Sequence, residues 1–134
     1  MKKFMFALAL ILGVTGIAGS ALAESYDVDV KANAQNHIGW RAIYALIGCE
    51  LRPPDTYSVG RQPQHGKVTL TIRQVTSNDR ENGCTQFKGK AVAVTYTPDK
   101  GYRGPDSFTV RITYQRYSSP APFGDVVRYN VNVK

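Results

Sequence analysis

Apolar and polar side chains alternate with period two along most of this chain, which makes strands rather than helices its main building element. Tyr26, Val28 and Val30 alternate with Asp27, Asp29 and Lys31. Val68, Leu70 and Ile72 alternate with Lys67, Thr69, Thr71 and Arg73. Val92, Val94 and Tyr96 repeat the pattern. Phe108, Val110, Ile112 and Tyr114 give its cleanest form, against Ser107, Thr109, Arg111 and Thr113. Val127, Tyr129, Val131 and Val133 close the series. A short, weaker strand fits 56–62. The segment 40–50 is apolar on both parities, which suits a central strand covered on both faces, and equally a short buried helix.

Turn chemistry separates these runs. Pro53-Pro54-Asp55 breaks the chain, and a polar loop is expected over 76–90 around Asn82-Gly83, the strongest two-residue turn signal present. A turn is expected over 98–105, with Gly101 and Gly104, and a loop over 118–124, with Pro120 and Pro122. Seven strand candidates with one wet and one dry face each predict an all-β chain. The expected architecture is an immunoglobulin-like β-sandwich of about seven antiparallel strands.

The first 23 residues read as a leader rather than as part of the fold. Lys2 and Lys3 form a basic start, 4–14 an apolar core, and Ala21-Leu22-Ala23 a small-x-small cleavage site. Residues 24–134 are then one sandwich domain, and the net charge of +7 falls to +5 with the loss of two lysines. No stretch after the leader reaches the ~18 apolar residues of a spanning helix. A secreted or periplasmic product is expected, which conflicts with intracellular nucleic-acid work. Cys49 and Cys84 are the only cysteines, and in an oxidising compartment they are expected to pair. Trp40 precedes Cys49 and Cys84 lies in a turn region, so this bond is expected to staple a loop rather than pin two sheets as in antibody domains.

Two segments carry a resemblance. Gln62-Pro63-Gln64-His65-Gly66-Lys67-Val68, followed by Val94-Thr95-Tyr96-Thr97-Pro98-Asp99-Lys100-Gly101-Tyr102-Arg103-Gly104-Pro105-Asp106-Ser107-Phe108-Thr109-Val110, resembles the bacterial immunoglobulin-like and cadherin-like domain family. The pattern is P-x-H-G-x-V, then V-x-Y-T-P-x-x-G-[FY]-x-G-x-D-S-F, and the likeness spans roughly 56–133. It implies a sandwich of the kind set in tandem in long surface proteins. It also implies a structural turn motif built on His65, Gly66, Tyr96, Pro98, Gly101, Tyr102, Gly104, Asp106 and Phe108. The physical reading is compatible. Pro98 stops a ladder because it has no N–H, and Gly101 and Gly104 permit positive φ. Asp106 is expected to accept N–H bonds within its own turn, and Tyr102 to lie across the bottom of the core. The family's calcium-binding relatives use acidic clusters at domain junctions, whereas the acids here are scattered. The oxygen-rich 78–83 lacks the ligand spacing of a calcium loop.

Residues able to carry chemistry are sparse. His37 and His65 are the only histidines, and neither sits in a metal-binding spacing. No serine lies in a nucleophile motif, and nothing sets Glu50 and Asp55 across a groove. The expectation is a protein that is not an enzyme and takes no cofactor and no metal. Three interaction modes remain. One is binding of a protein or polysaccharide partner by the loops at 76–90 and 118–124. The second is an electrostatic grip on an anionic envelope polymer such as lipopolysaccharide, acidic glycan or extracellular DNA. It would use Lys67, Arg73, Arg103, Arg111, Arg116 and Arg128, and works only if these converge. The third is strand addition at an open edge, 26–31 or 126–133.

Overall fold

In the computed structural model, the described residues are 24–115 and 120–134; the expected leader, Arg116 and part of the 118–124 loop lie outside them. The alternating runs become strands of two packed sheets, an all-β sandwich. The strands are β1 (Glu24–Val30), β2 (Asn36–Arg41), β3 (Ile43–Ala45), β4 (Glu50–Arg52), β5 (Thr56–Val59), β6 (Gly66–Ser77), β7 (Phe87–Pro98), β8 (Gly104–Tyr114) and β9 (Phe123–Val133). One sheet has the order β1-β9-β8-β5. The other is built on β7, which pairs with β6 along all twelve residues on one side. On its other side β7 pairs with β2 and then with β4, which carries β3.

The inner faces supply the main core. Val30, Val94, Tyr96, Phe108, Val110, Val127, Tyr129, Val131 and Val133 are all buried there. Val68 and Leu70 pack on them. Four aromatic rings form a column through this core. Tyr96 stacks on Phe108 at 5.9 Å, Phe108 on Tyr129 at 5.1 Å, and Tyr129 on Tyr26 at 5.8 Å. The guanidinium of Arg41 closes the column, 4.6 Å above the Tyr26 ring, a cation over an aromatic face.

Several expectations need correction. Nine strands are present among the described residues rather than seven, and not all are antiparallel: β1 runs parallel to β9, and β4 parallel to β7. The 126–133 segment is no edge, because β9 is paired on both sides. The single strand expected over 40–50 is divided. β2 and β3 flank Ala42, and a turn follows at 46–49 with Gly48 and Cys49 at φ of 82° and 51°. Ile47 is 93 % exposed there, so its apolar character marked no core. The loop expected over 76–90 contracts to 78–86, because β6 continues to Ser77 and β7 begins at Phe87. The Asn82-Gly83 turn forms as expected, with φ of 47° and 83° and backbone bonds between Glu81 and Cys84 in both directions. The 98–105 turn is shorter too, since β7 ends at Pro98 and β8 starts at Gly104.

A second, smaller core lies on the other face of the β7 sheet. Even-numbered Val94 and Tyr96 of β7 point into the sandwich, so the odd positions point away from it. On that outer side Trp40 sits opposite Ala93, and Val75 opposite Gly89. Leu51, Cys84 and Phe87 are buried there, packed by Trp40, Ala42, Tyr44, Cys49 and Val75. The Tyr44 ring meets Phe87 edge-on at 5.0 Å. The Cys49–Cys84 disulfide joins the β3–β4 and β6–β7 turns around this cluster, the loop staple the sequence implied. The β4 backbone passes so close that a Cβ on Gly89 would overlap the Leu51 carbonyl oxygen.

Candidate functional site

The two halves of the sequence motif meet at one end of the sandwich. Asp106, buried at the start of β8, accepts four hydrogen bonds. The backbone N–H groups of Gln64 (3.0 Å), His65 (2.9 Å) and Ser107 (2.9 Å) and the Tyr96 hydroxyl (2.7 Å) supply them. The expectation that Asp106 serves its own turn is therefore corrected. Two of its backbone donors come from the Pro63–Gly66 turn about forty residues upstream, joining β5–β6 to β7–β8. Burial pushes the Asp106 pKa up, but the Tyr96 hydroxyl and the three backbone donors outweigh it and hold the carboxyl below its ordinary range. Burial, then the Asp106 carboxylate, pushes the Tyr96 hydroxyl well above its ordinary value.

The rest of the motif braces this knot. The His65 ring stacks on Tyr102 at 4.0 Å, nearly parallel, and the Tyr102 hydroxyl donates to the Pro105 carbonyl. Tyr102 packs on the main core, as expected. The Asp99 N–H donates to the His65 carbonyl at 2.8 Å. Gly101 and Gly104 have φ of 80° and 127°. Gly66 leaves room for the Tyr96 ring, which a Cβ would approach to 2.6 Å. Of the other motif residues, Pro98 sits opposite Gly66 at the end of β7 and Phe108 lies in the main core.

Beside the knot, the outer face of the β1-β9-β8 sheet carries an open groove of about 720 Å³. The registers Asp27–Asn130–Ser107 and Asp29–Asn132–Pro105 cross it as two rows. Asn130 donates to Asp27 at 2.9 Å and to Ser25 at 3.2 Å, and Asn132 to Asp29 at 3.4 Å. Lys134 pairs with Asp29 at 2.8 Å. Its hydrogen bond, then its charge, leads in lowering the Asp29 pKa against the opposing effect of burial. Arg61, Gln64 and Asp106 form the groove's wall on the knot side. Asp27, Asp29, Asn130 and Asn132 were not among the candidate residues expected from the sequence. The signal available was D-x-D and N-x-N spacing on the wet parity of two strands, which places like groups two residues apart on one face.

The basic residues divide. Lys67 and Arg73 lie opposite Thr97 and Ala91 of β7, on the outer side of the β7 sheet. Arg111 and Arg128 lie on the outer side of the other sheet, opposite Val126 and Thr109. Arg103 is in the turn between β7 and β8, and Arg116 falls outside the described residues. The loop at 78–86 is anchored at its ends: Asp79 accepts from Ser77 of β6 (2.8 Å) and Tyr44 of β3 (3.0 Å), and Gln86 donates to Asn78 (3.1 Å). Among the described residues no group of three His, Cys, Asp or Glu side chains is placed to hold a metal ion, and no helix is long and apolar enough to cross a membrane. Comparison of the chain with protein-family models, with curated proteins and with solved structures gives no match.

Proposed function

We propose that this chain is an exported, non-catalytic immunoglobulin-like binding module that takes a hydroxyl-rich polysaccharide across the outer face of its four-stranded sheet. The groove carries this reading. Carboxylate and amide groups are held in two rows by hydrogen bonds to one another, with Arg61 lining the knot side. Planar groups of this kind offer paired acceptors and donors to neighbouring sugar hydroxyls. Holding them on strands lowers the ordering cost of binding. The disulfide suits an oxidising compartment, and the leader pattern supports export to the periplasm or beyond. The motif resemblance supports a surface-interaction role. The site is placed on the sheet face rather than the loops because the groove sets like polar groups two residues apart in parallel rows.

An anionic polymer fits this groove less well. Asp27 and Asp29 line it, and Lys134 is already paired with Asp29. Of the predicted cations among the described residues only Arg111 and Arg128 share this sheet face, Lys67 and Arg73 lying on the outer side of the other sheet. The test is an amide-shift NMR titration with neutral and with sulfated oligosaccharides up to about 10 mM, a range that captures weak lectin-like affinity. Shifts centred on 27–29 and 130–132 with the neutral sugars, lost in Asn130→Ala, are expected. No shift with any sugar, or shifts confined to the β6–β7 turn, would overturn the assignment.

A further inference from the structure

Strand edges are where a sandwich is exposed to other chains, because their N–H and C=O groups have no partner in the sheet. The edges here are not equally guarded. β1 carries Glu24, Asp27 and Asp29 within seven residues, so a second copy of it would bring acid against acid. β2 has a register break between His37 and Gly39. β3 and β5 have only three and four residues. β6 has none of these protections. It is twelve residues long, contains no proline and no acid, and pairs with β7 without a register shift. No other described segment bonds to its free edge.

We propose that β6 is a self-association edge and that its occupant is β6 of a second copy of this chain, antiparallel about a twofold axis through Thr71. The two β7-centred sheets then become one continuous sheet. Residues facing each other across an antiparallel pair lie on the same side of the sheet. With Thr71 opposite itself, Leu70 of each copy faces Ile72 of the other. Ile72 is 41 % exposed although it points to the inner side, and this pairing covers it with an aliphatic neighbour. Lys67 falls opposite Val75 and Arg73 opposite Thr69, so no two cations oppose each other. The contact is a strand edge with little more than its own side chains, at the small end of protein interfaces. The expected dissociation constant is therefore on the order of 10–100 µM.

Sedimentation velocity from about 1 µM to 1 mM brackets that constant and should show a reversible monomer–dimer equilibrium. Hydrogen exchange at the upper end should protect alternate amides of 66–77. Thr71→Lys places like charges across the axis on an exposed position and should abolish the dimer, with a thermal midpoint equal to that of the wild type at about 1 µM, where the wild type is monomeric. Mixing Thr71→Lys with Thr71→Glu should restore a heterodimer, which a damaged fold would not do. A wild-type monomer throughout the range, including one that accepts only foreign strands, would overturn the proposal. So would a dimer that survives Thr71→Lys, or protection that appears on β1 instead. These outcomes do not depend on whether the groove binds sugar.

Discussion

Each of the two cores holds a tyrosine that donates to an aspartate, and the two pairs are built differently. In the main core Tyr96 reaches Asp106 at 2.7 Å, with the ring fully buried and the carboxylate 9 % exposed. In the second core Tyr44 reaches Asp79 at 3.0 Å, half-buried and with the carboxylate in solvent. Asp106 gathers three backbone donors as well, whereas Asp79 accepts only from the Tyr44 and Ser77 hydroxyls among the described residues. The first pair joins segments from both sheets. The second trims a cluster whose closure depends on a covalent bond. A hydrogen bond contributes little net stability where water can replace it and much where removing it leaves a buried group unmet. The main core should therefore depend on its aspartate, and the second core on its disulfide.

Removing the disulfide breaks this contrast most strongly. Closing a loop of about 36 residues contributes roughly 4 kcal/mol in the chain-entropy account. Cys49→Ser/Cys84→Ser should lower unfolding stability by about that amount, measured by denaturant titration. The loss should be uneven. Amide exchange should accelerate at 46–52 and 78–88, while Phe108–Val110 and Val127–Val133 stay the slowest. Uniform acceleration would mean that the two cores are a single cooperative unit.

Asp106→Ala comes next. It leaves the Tyr96 hydroxyl only its long 3.4 Å bond to the His65 carbonyl and strands the N–H groups of Gln64 and His65, at a cost of about 3 kcal/mol. The same carboxylate sets an acid dependence. Its folded-state pKa lies below the unfolded value of about 3.9. Its contribution is therefore fully present above the unfolded value and is lost as pH falls through the folded one. Asp106→Asn should flatten the decline of stability between about pH 5 and pH 2 relative to wild type. An unchanged slope would assign that decline to other carboxylates.

The contrast also explains what was legible in the sequence. β8 and β9 were readable because one face meets water: Arg111 and Arg128 alternate with buried Val110 and Val127. The start of β7 was not. Phe87, Gly89 and Ala91 face the second core while Lys88 and Lys90 face solvent beyond the reach of the opposite sheet, so Phe87-Lys88-Gly89-Lys90 passes for loop. The turn motif announced its residues but not its central bond, because Asp106 finds its donors forty residues away. The groove was hidden for a related reason. Asp27 and Asn130 meet only through the parallel pairing of β1 with β9, and neither strand carries a mark that selects that partner.

The smallest effects test the comparison at its source. Tyr96→Phe removes one hydroxyl from a buried carboxylate and should cost about 1–2 kcal/mol, in the range of hydrogen bonds to charged groups. Tyr44→Phe removes the equivalent hydroxyl where water can take its place, and should cost about 0.5 kcal/mol or less. Both phenylalanines keep the ring packing, including the edge contact of Tyr44 with Phe87, so the difference isolates the hydroxyls. Double-mutant cycles with Asp106→Asn and Asp79→Asn refine it, since pairwise coupling survives only where partners share a network. A coupling above about 1 kcal/mol for Tyr96 and Asp106, with none resolved for Tyr44 and Asp79, is expected. Equal couplings would show that the disulfide-closed cluster shields its tyrosine as thoroughly as the sandwich interior does, and the second core would then count as a structural equal of the first.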